Sequence, residues 1–443
     1  MRAISMMWII LGHTGNFQLP GFIGFDNISA YFDLLRTFAF QGDLSANFCV
    51  DTFFFLSGLL MTYVLIRKHA KEKKNSPFLL VCLLRYLRLV PLYGFIIGVY
   101  AYLAGHFSSG PFWYRMIKEY SQCRTWGWTN LLFINNFVPS TYSDQCVPWT
   151  WYLANDMQFF VFGLFIFNFI YSRFRRLGTA TVIICIVIPI IMEFQITYSK
   201  DLTLTQGDSQ NTIYDKPYTR GSPFFIGMLV AIIYADILKL QSPFQSGGVF
   251  FDFGVNLDLL FGLRKSEFEN LTINMDSGES EEALLKNIPI YSDTAHANGS
   301  EGHDSHPSEK KEDRVVLLPI LVMCFAVFGL LSISYVSYDF WIDVEKHPAG
   351  HWSNAGNAAY NAFSRSGYAI CLGILTLLCI CKDGGVVNYL LTLPFWEPLG
   401  KLTFAAYLIH PILMRITYYS LTDTVHFDCT FYVFDCVWGV IIE

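Results

Sequence analysis

Charge is scarce in this chain: Asp, Glu, Lys and Arg together supply 15% of its 443 residues, while 53% are hydrophobic and 17% aromatic. Soluble domains carry about a quarter of their residues as charges, so that balance excludes them. There is no H-E-x-x-H or paired C-x-x-C spacing for a metal and no phosphate-binding glycine loop. Ser57-Gly58 lacks the G-x-S-x-G context of a nucleophile and reads as close helix packing by small residues. The first apolar stretch shows no small-residue cleavage site before Gly12 and His13, so it is expected to act as a signal anchor. Internal repeats are absent. The net charge of −6 comes largely from one acidic, polar stretch and gives no basis for a nucleic-acid partner.

What the chain does have is apolar blocks. A spanning helix needs roughly 20 mostly apolar residues, because only a helix satisfies its own backbone hydrogen bonds in a medium without water. Cys49 to Ile66, Trp151 to Tyr171, Leu177 to Phe194, Ser222 to Leu238, Val315 to Val336 and Ser366 to Cys381 meet that requirement. Phe78 to Ala104 and Thr403 to Tyr419 are also long, but carry Arg85 and Arg88, and His410 and Arg415. With the shorter blocks Met1 to Gly15 and Thr430 to Ile442, the expected fold is an all-α, polytopic transmembrane bundle of about ten spans around a polar intramembrane cavity.

Lys and Arg accumulate on the cytoplasmic side of short loops. Arg67, Lys68, Lys71, Lys73 and Lys74 mark one such loop, and Arg173, Arg175 and Arg176 another, with two spans between them. The connections 16–47, 106–150, 195–221 and 337–359 then fall outside or in the lumen. Residues 1–240 would hold six spans, 241–314 a cytoplasmic and largely disordered insertion, and 315–443 the last four spans. The protein is therefore expected in the plasma membrane or an endomembrane.

An ionisable group inside a membrane is costly and by default marks a site. His13, Asp51, Asp156, Arg220, Arg365 and His410 approach the outer half of their spans, whereas Arg2, Arg85 and Arg88 approach from the cytoplasm. This suits transfer of an activated group: basic groups hold a phosphate-rich carrier, and a histidine with carboxylates takes a proton from an acceptor hydroxyl. Each has a plainer reading beside it. Arg85 and Arg88 fit snorkelling interface residues, Asp51 and Asp156 fit helix caps, and His410 before Pro411 fits a packing histidine.

Several motifs then resemble one family in the same order along the chain. Arg2 with His13 eleven residues later resembles the opening motif of the acyltransferase 3 family of membrane proteins. Asp51-Thr52-Phe53-Phe54-Phe55-Leu56-Ser57-Gly58 resembles its second span, and Arg85-Tyr86-Leu87-Arg88 its third. Trp149-Thr150-Trp151-Tyr152 through Phe159, with Cys123 and Cys146 upstream, is similar to the animal branch called nose resistant to fluoxetine. So are Arg220-Gly221-Ser222-Pro223-Phe224, Arg365, and Leu399-Gly400-Lys401 through His410-Pro411.

The resemblance implies acyl transfer from a cytoplasmic donor such as acyl-CoA, a co-substrate with no resident cofactor, to a hydroxyl on a lipid, sugar or other small molecule. It implies His13 as general base with Arg2 as its partner. Arg2, Arg85 and Arg88 would bind the donor's phosphates, Asp51 or Asp156 would orient the histidine, and His410 would join the site. Protein partners are not indicated. The branch's link with lipid and drug uptake keeps a transporter without chemistry as the alternative. Opening almost at the first motif and ending inside the last block, the chain is expected to be a fragment or truncated isoform. The 241–314 insertion is unusual for the family. Cys123 and Cys146, in one outer connection facing an oxidising compartment, are expected to form a disulfide.

The orientation gives a direct expectation for glycan. Asn27, in Asn27-Ile28-Ser29, lies outside and is open to modification, while Asn270 and Asn298 stay bare in the cytoplasm. Glycopeptide mapping checks this, and glycan on Asn298 would reverse the central region.

Overall fold

The computed structural model describes residues 1–18, 26–203, 210–238, 317–342, 352–424 and 426. The expected insertion 241–314 and the expected last span Thr430 to Ile442 lie outside the described residues, as do Asn270 and Asn298. Among the described residues the chain is helical and forms no strand. In chain order its α-helices are α1 Arg2–Gln18, α2 Ile28–Leu35, α3 Gln41–Leu44, α4 Asn47–Glu72, α5 Phe78–Leu103, α6 Tyr114–Leu131 and α7 Trp151–Phe165. Then come α8 Arg175–Ser199, α9 Pro217–Arg220, α10 Ser222–Ile237, α11 Leu317–Tyr335, α12 Tyr338–Ile342, α13 Asn354–Ile380, α14 Gly385–Leu391 and α15 Trp396–Tyr419.

Among the described residues six helical stretches are long and apolar enough to cross a membrane: Asn47–Glu72, Phe78–His106, Pro148–Tyr171, Arg175–Ser199, Leu318–Phe340 and Asn354–Ile380. At 1.5 Å per residue the 26 residues of α4 extend about 39 Å, more than the hydrocarbon core of a bilayer. Every block expected from sequence, apart from Thr430 to Ile442, falls on a described helix. The count of ten is not established, since α1 and α10 are shorter and α15 is more polar. The hydrophobic pattern is inside out in places. The spanning window of α4 is 72% buried but that of α5 only 11%, and α5 turns Leu79, Leu80, Leu83, Leu84 and Leu87 outward. Such exposed leucine faces are what lipid tails cover. The chain is an integral membrane protein.

α4 is the axis. It packs against α1, α7, α10 and α13, and α10 comes so close that only glycine fits between them. A Cβ on Gly58 would lie 2.0 Å from the Phe224 carbonyl oxygen, and one on Gly227 2.1 Å from that of Phe55. The small-residue reading of Ser57-Gly58 is thus what the helices use.

Two stretches read differently in sequence. The connection 106–150 contains α6, an 18-residue helix too polar to span and dressed with interleaved aromatics that hid its period. A disulfide between Cys123 and Cys146 ties α6 to the approach to α7. Buried Asn130 adds three hydrogen bonds through Nδ2, to Tyr93 Oη (2.9 Å), the Cys146 carbonyl (2.9 Å) and Thr150 Oγ1 (3.0 Å). α13 begins at Asn354, well before the block expected from Ser366. Ser353 caps it by accepting from the Gly356 N–H at 3.1 Å, and its first turns bury Asn357 and Asn361, which a hydropathy pattern does not register.

The α4–α10 contact predicts a graded response to single methyl groups. Gly58→Ala must push against backbone and is expected to cost about 1–3 kcal/mol, lowering the thermal unfolding midpoint of the purified protein. Gly98→Ala, where a Cβ meets nothing within 4 Å, serves as control and should not lower it. Equal midpoints for both variants would refute the tight contact.

Candidate active site

The polar side chains carried into the bundle gather in a histidine pair, an aromatic cavity and a set of buried ion pairs. α1 buries Met6, Ile9 and Ile10 and carries His13 at its inner face. α15 buries His410 completely. His13 Nδ1 lies 2.7 Å from His410 Nε2, with the rings 15° from parallel and their centroids 5.0 Å apart. On its other nitrogen, His410 Nδ1 lies 2.8 Å from the Ala406 carbonyl oxygen.

These two distances assign the protons. A carbonyl only accepts, so His410 Nδ1 carries the N–H and, in the neutral ring, Nε2 carries the lone pair. His13 Nδ1 must then donate to His410 Nε2, which leaves the lone pair of His13 on Nε2. A neutral imidazole held in that tautomer is the form that accepts a proton.

His13 lines a cavity of about 800 Å³, the size of a small-molecule site. Seven tyrosines and two tryptophans form much of its wall, among them Trp149, Trp151, Tyr152 and Tyr407. α6 contributes Tyr114, Arg115, Lys118 and Glu119, and α15 contributes Arg415 and Tyr419. Glu119 accepts three hydrogen bonds, from Arg415 Nε at 2.5 Å, Tyr419 Oη at 2.8 Å and Tyr100 Oη at 2.9 Å. Arg415 lies 4.6 Å above the Trp149 ring, and Tyr407 donates to the Trp149 carbonyl at 2.5 Å. α15 therefore shapes both the histidine pair and the cavity.

The remaining predicted residues go elsewhere. Asp51 does not bond His13; both it and Arg220 are fully buried and lie 3.3 Å apart, with Arg220 also over the rings of Tyr214 (4.5 Å) and Trp151 (5.1 Å). Asp156 pairs with Arg85, which also donates to Ser57 Oγ at 3.3 Å and covers the Phe160 ring at 4.1 Å. His13 is thus joined to His410 where sequence placed one of these carboxylates. Arg2 and Arg88 are exposed. Arg365 pairs with Glu193. Sequence reading passed over Glu193 and Glu119, although a lone carboxylate inside the Leu177 to Phe194 block was itself a signal. Among the described residues no group of three His, Cys, Asp or Glu stands together as metal ligands would.

Lipid-facing helices around an enclosed histidine pair and a polar, aromatic cavity define a polytopic membrane protein with a site inside its bundle. Residues 1–277 match the acyltransferase domain of the acyltransferase 3 family, and the chain belongs to that family. It is 28% identical over 451 residues to Nose resistant to fluoxetine protein 6 of Caenorhabditis elegans, covering 96% of this chain and 46% of that protein. It is also 24% identical over 261 residues to Regulator of hypoxia-inducible factor 1 of the same organism, covering 52% of this chain and 49% of that protein. The chain thus spans about half the length of the curated relatives it matches. No solved structure matches it. His13 lies inside the family match and His410 beyond it.

The ion pairs carry their own expectation. Asp51→Ala leaves the buried Arg220 guanidinium without its counter-charge, and breaking such a pair costs about 3–5 kcal/mol. The variant should unfold at lower temperature and yield less folded protein, as should Arg220→Ala. Wild-type thermal stability in Asp51→Ala, with acyl transfer alone abolished, would return this carboxylate to the chemistry.

Proposed function

We propose that this protein transfers an acyl group from a thioester donor such as acyl-CoA to a hydroxyl acceptor, with His13 as general base. The observation that carries this reading is the hydrogen-bonded run from the Ala406 carbonyl through His410 to His13, which keeps the lone pair of this cavity-lining histidine on Nε2.

The steps balance without another reactant. His13 Nε2 takes the acceptor's hydroxyl proton as its oxygen attacks the thioester carbonyl carbon. The new C–O bond forms, the tetrahedral intermediate collapses and the C–S bond breaks. The leaving thiolate then takes the proton back from Nε2. As positive charge develops on His13, the Nδ1–H bond to His410 Nε2 strengthens. In this reading Arg2, Arg85 and Arg88 hold the donor's phosphates and Arg85 keeps Asp156 neutralised. His410 is the positioning residue. Eleven residues of helix, about 16 Å, separate Arg2 from His13, so one helix connects the donor's phosphates to the reacting centre.

The cavity also supports a second reading, a lipid or drug transporter without catalysis, since its aromatic wall is suited to holding an amphiphile. Consumption of labelled acyl-CoA by membranes containing the protein favours the enzyme, while uptake without turnover favours the transporter.

Mutation of the pair separates base from support. His13→Ala is expected to lower acyl transfer by roughly 10² to 10⁴ while membrane insertion persists. His410→Ala should reduce kcat with little change in KM for the donor, and His410→Gln, whose amide oxygen can accept from His13 Nδ1–H, should recover much of the loss. His106→Ala, exposed near the start of the polar connection, should leave the rate alone. A His13→Ala protein that kept its rate would remove the assignment.

A further inference from the structure

The cavity beside His13 carries an uneven charge. Among the described residues its wall holds three permanent cations, Arg115, Lys118 and Arg415, against one carboxylate, Glu119. Glu119 already accepts from Arg415 and two tyrosines, so its charge is spent inside the protein. On α6, Arg115 and Lys118 are three residues apart and so share one helix face. Lys118 is exposed and forms no ion pair among the described residues.

Aromatic walls of this kind commonly receive a cationic ligand over their ring faces. Here the protein's own guanidinium groups use them: Arg415 lies 4.6 Å over Trp149, and Arg220 lies over Trp151 and Tyr214. A cationic acceptor would find those ring faces already covered and would face Arg115 and Lys118 on α6. An anionic one gains from the same arrangement, and its apolar body finds Ile9, Val50 and the aromatic rings. Surplus positive charge on a low-dielectric wall focuses its field into the cavity.

We infer that the acceptor is an amphiphile bearing a free hydroxyl close to a phosphate or similar anionic group, held at the α6 face by Arg115 and Lys118 with its hydroxyl toward His13. This rests on the acyl-transfer reading and specifies its substrate class. The hydroxyl loses its proton to His13 and gains the acyl group, so the product is an ester that keeps the anionic group unmodified.

The test offers the purified protein acyl-CoA with four probes: a monoacylglycerol phosphate, the matching monoacylglycerol, glycerol 3-phosphate without a chain, and a long-chain amino alcohol. The monoacylglycerol phosphate should be acylated with a kcat/KM at least about tenfold above the others, an advantage that shrinks as salt rises. Lys118→Glu, an exposed change, should raise KM for that probe on the order of tenfold and leave the monoacylglycerol unaffected. Equal or better use of the uncharged or cationic probe would overturn the inference, and equal use of glycerol 3-phosphate would reassign the anion to a soluble acceptor. Equilibrium binding of the same probes to His13→Ala protein keeps the two proposals apart. Preferential binding of the phosphate amphiphile without acyl transfer in the wild type retires the enzyme reading and leaves the anionic site, whereas transfer without that preference does the reverse.

Discussion

The contact between α4 and α10 sets the geometry on which the interior depends. With Gly58 and Gly227 seated against backbone, the two axes approach as closely as helices can. Arg220 ends α9, one residue short of α10, so this approach delivers its guanidinium onto Asp51 of α4 and over Trp151 and Tyr214. Those two rings are cavity wall. A packing constraint between two apolar helices thereby fixes a charged pair, and the pair in turn fixes the aromatic surface opposite His13.

Charge inside the bundle is handled by local neutralisation. Asp51 with Arg220, Asp156 with Arg85, Glu193 with Arg365, Asp236 with Arg175 and Glu119 with Arg415 each join different helices. Replacing one partner strands the other in an apolar medium, so these pairs act as cross-braces whose loss is felt as misassembly. The histidine pair differs: the two imidazoles are joined to each other, and His410 to the Ala406 carbonyl.

Much of the architecture was legible because a bilayer enforces long apolar runs: the blocks at Cys49 to Ile66 and Leu177 to Phe194 lie within α4 and α8. The polar first half of α13 was not, because Asn357 and Asn361 are buried by packing that hydropathy does not encode. α6 escaped for the converse reason, since its aromatic and polar residues interleave without an apolar stripe. In the site, His13 and His410 were both recognisable as ionisable groups in apolar blocks. Their bond was not, because nothing local in sequence says which carboxylate or imidazole will face a given histidine across 397 positions. Sequence therefore offered Asp51 and Asp156 as orienting groups, and arginines elsewhere in the fold took them up.

That separation has a consequence for how the protein is made. His13 lies in α1 and His410 in α15, 397 positions apart, and at 5–20 residues per second the ribosome needs roughly 20–80 s to pass from one to the other. Throughout that interval the cavity lacks Tyr407, Arg415 and Tyr419, and His13 has no imidazole to fix its tautomer. Until α15 docks, neither the imidazole pair nor this wall of the cavity is assembled, so folding of the family-matched region 1–277 alone leaves both incomplete.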